Sequence, residues 1–354
     1  MSGSSSLTVS SSTGQYGVTV AADGFTQLLI EDPDALLIVD QRFELLPELE
    51  GRQVLTITAD EQHKTLSEVE RLLIALRELG AGRSDRLVAV GGGVVQDVAT
   101  LAAQLYMRGL PWKYAPTTLL GMVDSCIGGK SSINAGAFKN LVGSFYPPAE
   151  IVVDPSFLET LPDEAIASGL AESTKIAYCR GPETFASYLG LESNFGDDPE
   201  ALILHSLETK RWFIEDDEFD NGSRRLLNFG HSFGHALEAA TGFAVEHGIA
   251  VALGMLSAER FGRETDLGTA APELVARAEL LARRGTGLSE AADRFDRSVF
   301  ERSFLADKKH GSDGLHLILP SASGSVAEVV AERSDEVVAA ATGSVVSVLD
   351  IVSS

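Results

Sequence analysis

Residues 86–97, RLVAVGGGVVQD, run from an apolar strand into three glycines and on into a helical stretch. A glycine turn at that place lets backbone come close to a phosphate, and the N-terminus of the following helix favours an anion. The stretch is not GxGxxG, so read alone it is as well explained by a tight turn. Its surroundings give it weight. Upstream lie two more short apolar runs, ALLIVD (35–40) and QVLTIT (53–58), and downstream lie WKYAPTT (112–118) and EIVVD (150–154). Between the second and third runs, LSEVERLLIALRELG (66–80) carries Leu66, Val69, Leu72, Leu73, Leu76 and Leu79 at helical spacing and closes on Gly80. Strands alternating with helices predict an α/β fold with a doubly wound, mostly parallel sheet. Ligands of such sheets bind at the carboxyl ends of the strands, where Asp40 and Gly91–Gly93 fall.

After about residue 155 the texture becomes mainly helical, with GLHLILP (314–320) as a lone strand candidate. The expected division is a polar, flexible tail over 1–14, an α/β domain over 15–155, and a mainly helical domain over 156–354. The last stretch, 321–354, carries no functional signal.

The chain of 354 residues has a net charge of −23. That excludes a nucleic-acid binder, which needs a basic footprint, and argues against adhesion to anionic lipid. No membrane span is expected, and the start has no secretory pattern. Two cysteines, Cys126 and Cys179, make no disulfide framework. The expectation is a cytoplasmic protein. Only eight of the 28 basic residues are lysines. In so acidic a chain these few become candidates for specific work.

HSFGH (231–235) puts His231 and His235 on one helix face, within reach of one metal ion, and His247 opens the next helix. A fourth ligand would be a carboxylate, and Glu172 in GLAESTK is the best placed. From its own segment, however, Glu172 reads as an exposed helix residue. The segment 116–140 gathers Thr117, Thr118, Asp124, Lys130, Asn134, Lys139 and Asn140 among glycines and small residues. Two lysines nine apart suit an anion site, and Leu119, Leu120, Met122, Val123 and Ile127 would pin the segment to a core.

In order along the chain stand DEQHK (60–64), GGGVVQD (91–97), LYMRG (105–109), PTTLL (116–120), VDSCIGGK (123–130), FKNLVGSFYPP (138–148), FLETLP (157–162), GLAESTK (169–175), RRLLNFGHSFGHALE (224–238), HG (247–248) and DKK (307–309). This ordered set resembles the 3-dehydroquinate synthase family of sugar phosphate cyclases, from about residue 35 to 320. The resemblance implies a metal triad of Glu172, His231 and His247, usually with zinc and with cobalt tolerated. It moves His235 from ligand to substrate contact. It implies an NAD site at Asp40, Glu61, Lys64, Gly93, Val94, Val95, Asp97, Thr117, Thr118 and Leu158, with Lys130 and Lys139 beside it. Asp124 would stand next to the nicotinamide ribose and the substrate. Lys175, Lys210, Asp124 and His235 would be catalytic. Lys130, Lys139, Asn140, Arg224, Asn228 and one of Lys308 or Lys309 would bind substrate. Arg108 would reach the neighbouring subunit's phosphate site, implying a homodimer.

The implied reaction cyclises a seven-carbon sugar acid phosphate, a heptulosonate 7-phosphate, with loss of phosphate. NAD is reduced and reoxidised within each turnover. Its setting would be aromatic amino acid biosynthesis by the shikimate pathway. Two positions depart from the family pattern: Gln96 and Phe138 stand where glycine is usual. Related cyclases that act on sedoheptulose 7-phosphate and make valiolone-type carbocycles for secondary metabolism often carry bulkier residues there. They are the second reading. Metal-dependent polyol dehydrogenases, which share the arrangement but release NADH, and a non-catalytic binding protein come after.

Overall fold

Seven strands make the sheet of the first unit. They are β1 (Ser5–Ser11), β2 (Gly14–Val20), β3 (Leu36–Asp40), β4 (Val54–Ile57), β5 (Leu87–Gly91), β6 (Trp112–Pro116) and, after a separate hairpin of β7 (Lys130–Ala135) and β8 (Phe138–Phe145), β9 (Glu150–Val153). The order is β1-β2-β9-β6-β5-β3-β4. Every neighbouring pair from β2 to β4 is parallel, and only β1 runs antiparallel. The structure, a computed structural model, describes residues 4–136 and 138–353, with Phe138 described by its backbone.

Strands β3 and β5 are buried along their whole length, which is why they read as unbroken apolar runs rather than alternating ones. Helices α1 (Gly24–Glu31), α2 (Leu66–Glu78) and α3 (Gly93–Leu105) join the strands. Thr65 caps α2, its hydroxyl accepting from the Glu68 N–H at 3.3 Å. Phe25, Leu28, Leu37, Val39, Val88, Val90 and Ala115 form a core on one face of the sheet.

Two expectations need correction. Residues 5–14 are not a tail. They form β1 and the turn into β2, with Leu7 and Val9 buried. Its serines and threonines hid a strand because apolar side chains recur at only two alternate positions. Met1–Gly3, the start of the expected tail, lie outside the described residues. The domain division also differs. The chain separates after Leu161, and Asp198–Glu218 return to the first unit. That return segment carries α6 (Pro199–Asp216), after α4 (Asp163–Arg180) and α5 (Pro182–Glu192) of the second unit. Helix α6 buries Leu202, Ile203, Leu207, Phe213 and Ile214, and its Glu215 accepts from the Ser10 N–H of β1 at 2.9 Å. Helical periodicity finds the buried stripe but not the partner it faces.

The second unit is mainly helical, as expected. To α4 and α5 it adds α7 (His231–Ala240), α8 (His247–Glu264), α9 (Pro272–Ala282), α10 (Leu288–Arg294), α11 (Arg297–Leu305) and α12 (Asp335–Ser353). The expected lone strand is β10 (Leu315–Pro320), paired antiparallel with β11 (Val326–Ala331). Helix α12 has 19 residues and a mean hydropathy of 1.6, so length and composition alone would suit a membrane span. Here Val338, Ala341, Val345, Val348, Leu349 and Val352 are buried and the helix packs on α8 as a core element.

The strand reading of the N-terminus is checked by Leu7→Ala. Truncating a buried leucine costs about 2–5 kcal/mol, so the denaturation midpoint of the first unit should fall. Leu7 in a tail would leave it unchanged.

Candidate active site

Helix α4 is buried without interruption from Ala167 to Cys179, so it runs through the middle of the helical unit. Glu172 lies at its centre and is 1% exposed, not an exposed helix residue. The run GLAESTKIAYC hid this because a helix packed all round has no apolar stripe. Lys175, one turn on and also buried, pairs with Glu172. Close helix contacts bring the histidines in. A Cβ on Gly248 would come within 2.2 Å of the Ser168 carbonyl oxygen, and one on Gly254 within 2.0 Å of that of Gly230. Glycine at these two places therefore lets α8 lie against α4 and α7.

The result is a cluster. His231 Nε2 lies 3.7 Å and His247 Nε2 3.5 Å from Glu172 Oε1. One nitrogen each of His231, His235 and His247 lies within 4.8 Å of the others. Zinc bonds of 2.0–2.2 Å in a tetrahedron separate neighbouring ligand atoms by about 3.3–3.6 Å. The Glu172 distances of 3.5 and 3.7 Å lie within and just beyond that edge, so the residues fit a divalent ion. The outer ring nitrogens fit as well. His231 Nδ1 meets the Phe229 carbonyl at 3.2 Å, and His247 Nδ1 meets Glu238 Oε1 at 3.5 Å. Such outer contacts fix the ring orientation of metal-binding histidines.

The electrostatics agree. Burial, then the charge of Lys175, pushes His231 well below its usual value, so it offers a lone pair at neutral pH. His235 is exposed at its surface on α7, yet desolvation by the crowded ring cluster and then His247 hold it down at about 4. Burial opposes charge on His247 too, but Glu238 and Glu172 outweigh it and raise it to about 10. A metal cation can stand where that proton stands and be held by Glu172 in the same way.

Other expected residues of this unit lie near α7 or in the turn before it. Arg224 is buried in the turn Ser223–Asn228, where the Asn228 amide donates to the Arg225 carbonyl at 3.0 Å. Lys309 lies 3.3 Å from Asp307, which accepts from the Ser232 hydroxyl of α7 at 2.7 Å. Lys308 is exposed. Sequence left these two lysines equivalent; the Asp307–Ser232 link separates them. Sequence reasoning missed Glu238 and Asp307, whose residue types gave no signal until their neighbours were known.

The first unit holds a second set. Helix α3 begins at Gly93, directly after β5. A Cβ on Gly92 would meet Thr118 Cγ2 at 2.9 Å, whereas one on Gly93 would meet nothing within 4 Å. Close packing thus holds the turn, and open space lies at Gly93 at the helix start, with Val94 half-buried and Val95 buried behind it, a cradle that fits a diphosphate. Asp40 ends β3, the strand next to β5, and accepts from the Arg42 N–H at 3.0 Å. Thr117 follows β6. Lys64 pairs with Asp97 at 2.6 Å and donates to Asn140 Oδ1 at 3.0 Å. Burial still pushes the Asp97 carboxyl above the usual range. Lys139 lies 3.5 Å from Glu61. Buried Lys210 of α6 lies 2.9 Å from Asp124 Oδ1 and donates to the Asp124 carbonyl at 2.5 Å. Lys130 sits 5.9 Å from the centre of the Phe145 ring. Leu158 is half-buried in the turn Pro155–Thr160. Arg108 is exposed and, with Met107, has a left-handed backbone at φ 71° and 49°. Two such residues in a row are strained, and strain of that kind gathers at functional sites. The Phe138 side chain, one of the two departures, lies outside the described residues.

These parts define a class: enzymes that use a dinucleotide cradle and a histidine–carboxylate metal cluster, namely sugar phosphate cyclases and metal-dependent dehydrogenases. The chain belongs to the 3-dehydroquinate synthase family. Its residues 54–168 match the family's N-terminal domain and 169–310 its C-terminal domain. The 3-dehydroquinate synthase of Methylococcus capsulatus is 39% identical over 277 residues, 77% of this chain and 76% of that one. A solved 2-epi-5-epi-valiolone synthase from Streptomyces hygroscopicus subsp. jinggangensis, with NAD⁺ and Zn²⁺ bound, is 25% identical with a TM-score of 0.80, over 94% of this chain and 97% of that one. An iron-containing alcohol dehydrogenase from Thermococcus thioreducens shares the fold at 18% identity and a TM-score of 0.63, over 93% of this chain and 98% of that one.

The ligand assignment is checked by metal analysis. His231→Ala should lose tightly held zinc, because a three-ligand site loses one ligand. His235→Ala should keep it and lose turnover. Equal depletion in both would make His235 a ligand.

Proposed function

We propose that the chain is a 3-dehydroquinate synthase: it cyclises a heptulosonate 7-phosphate with elimination of phosphate, using NAD and a divalent metal, zinc or cobalt. The observation that carries this is Glu172, buried, paired with Lys175 and facing two histidine nitrogens at the spacing of a shared metal, in a chain of this family. Bound there, NAD⁺ would take and return one hydride while the metal ion polarised a substrate alcohol oxygen.

The chain's own residues bind, orient and move protons. Glu172, His231 and His247 would hold the metal, and the α3 cradle with Asp40, Lys64 and Asp97 the dinucleotide. Lys175 Nζ pairs with the buried Glu172 carboxylate and gives it a cationic partner away from water. Lys210 Nζ, fixed by two Asp124 oxygens, presents a directed cation to the substrate. Arg224 is suited to a carboxylate by its planar fork. Lys309 and His235 would complete the substrate shell on α7, and Lys130, Lys139 and Asn140 the shell of the first unit. The net reaction leaves the redox state unchanged: the C–O bond to phosphate breaks, a ring C–C bond forms, and the proton lost beside the leaving group ends on phosphate or water.

Arg108, strained and exposed, supports a homodimer in which it serves the neighbouring subunit's phosphate site. Mixing the impaired Arg108→Ala and Lys210→Ala enzymes should then restore part of the lost activity after subunit exchange; complete failure with exchange demonstrated removes that role. Two free, buried cysteines support a cytoplasmic setting.

A second reading, cyclisation of sedoheptulose 7-phosphate, is favoured by Gln96 and by the likeness to the valiolone synthase. Purified enzyme with NAD⁺ and zinc should release phosphate from the heptulosonate phosphate without net NADH. Arg224→Leu should lower that turnover about 10–150-fold, the worth of a charge-assisted hydrogen bond of about 1.5–3 kcal/mol, and should do little to the carboxylate-free sedoheptulose 7-phosphate. Wild-type enzyme that turns over only the latter establishes the second reading.

A further inference from the structure

Gln96 lies in the first turns of α3 and is 4% exposed. Its side-chain amide makes two reciprocal hydrogen bonds to one residue. Nε2 donates to the Ser125 carbonyl at 2.7 Å, and the Ser125 hydroxyl donates to Oε1 at 2.6 Å. Only one orientation of the amide satisfies both, so the pair is directional.

Ser125 ends a short π-helical turn, Gly121–Ser125, that also carries Asp124. Thr118 holds the start of this turn by accepting from the Gly121 N–H at 3.1 Å, and the Cys126 N–H donates to the Gly121 carbonyl at 3.1 Å across it. A π-turn is a rare and weakly bonded conformation, frequent at functional sites. Two oxygens that orient Lys210 belong to Asp124, one from its side chain and one from the turn's own backbone. The direction of the Lys210 ammonium therefore depends on the shape of the turn. Gln96 braces that shape from the side, from a helix anchored in the sheet.

We propose that Gln96 is a positioning residue: it clamps the Asp124 turn through Ser125 and thereby aims Lys210. This rests on the reading that Lys210 and Asp124 serve the reaction.

The test uses the full chain with NAD⁺ and zinc. Gln96→Met keeps length and volume but neither hydrogen bond. Cys126, next to the turn, reports its opening, because its buried thiol, pushed up to about 12 by burial, reacts with a small maleimide only when exposed. Cys179, buried in the other unit, is the internal reference. Losing two neutral hydrogen bonds should raise Cys126 labelling about 5–150-fold, and Ser125→Ala, which removes one, about 2–10-fold. Cys179 labelling should not change. kcat should fall in the same order, and Gln96→Met should cost little more in a Lys210→Ala background, because the two act as one unit. If Gln96→Met fails to fold, Ser125→Ala decides alone. Wild-type labelling, a parallel rise at both cysteines, an unchanged kcat, or an additive loss in the Lys210→Ala background each overturns the proposal. Wild-type enzyme that releases no phosphate from the heptulosonate phosphate defeats the function instead, and Cys126 labelling still decides whether Gln96 holds the turn.

Discussion

A carboxylate almost wholly out of water sets the terms for the helical unit. An isolated buried charge costs several kcal/mol, and removing one partner of a buried pair costs about 3–5 kcal/mol. Glu172 is tolerable at the centre of α4 only because Lys175 and the nitrogens of His231 and His247 stand around it. Lys175 sits on α4 itself, but the two histidines arrive on two other helices, so the requirement becomes one of close helix packing. Gly248 and Gly254 let α8 approach, and Phe229 and Glu238 hold the rings from behind. Charge neutralisation, packing and ligand geometry are one constraint seen three ways.

The first unit applies the same logic with opposite emphasis. Its buried cations, Lys64 and Lys210, are each held by an aspartate whose backbone neighbourhood is fixed by another element: Asp97 on α3 and Asp124 on the π-turn. In a chain of net charge −23, a lysine surrounded this way is directed at a place rather than left to sample solvent. Screening over about 8–10 Å lets such local positive fields act on an anionic substrate despite the charge of the whole.

The sheet strands β3, β5, β6 and β9 were legible because parallel strands buried on both faces are plain apolar runs between turn signals, and the half-buried edge strand β4 showed as a shorter run of the same kind. The histidines were legible because a helix places residues four apart on one face. Glu172 was legible as a ligand candidate, but its burial was not, since a helix packed on every side has no pattern to read. Strand β1 was hidden by its serines and threonines, and the allegiance of α6 by the fact that a stripe of leucines does not say what covers it. His235 shows a further limit: spacing makes it equivalent to His231, its ring nitrogen stands with those of His231 and His247, and only the family resemblance gave it a different role. Gln96 stood out in sequence as a departure, but its partner lies 29 positions away, beyond any local rule.

The return of α6 to the first unit bears on how the chain is made. Ser10 of β1 is satisfied by Glu215, 205 positions later. A ribosome adding about 5–20 residues per second needs about 10–40 s to supply that partner, plus the time for the segment to clear the exit tunnel. Meanwhile α4 and α5 have emerged without α7 and α8. The buried carboxylate at the centre of α4 is then a charge still in water, and neither unit can close in the order it is written. The nascent protein must wait, with most of the first unit and little of the second in hand, and with an unguarded sheet edge at its beginning.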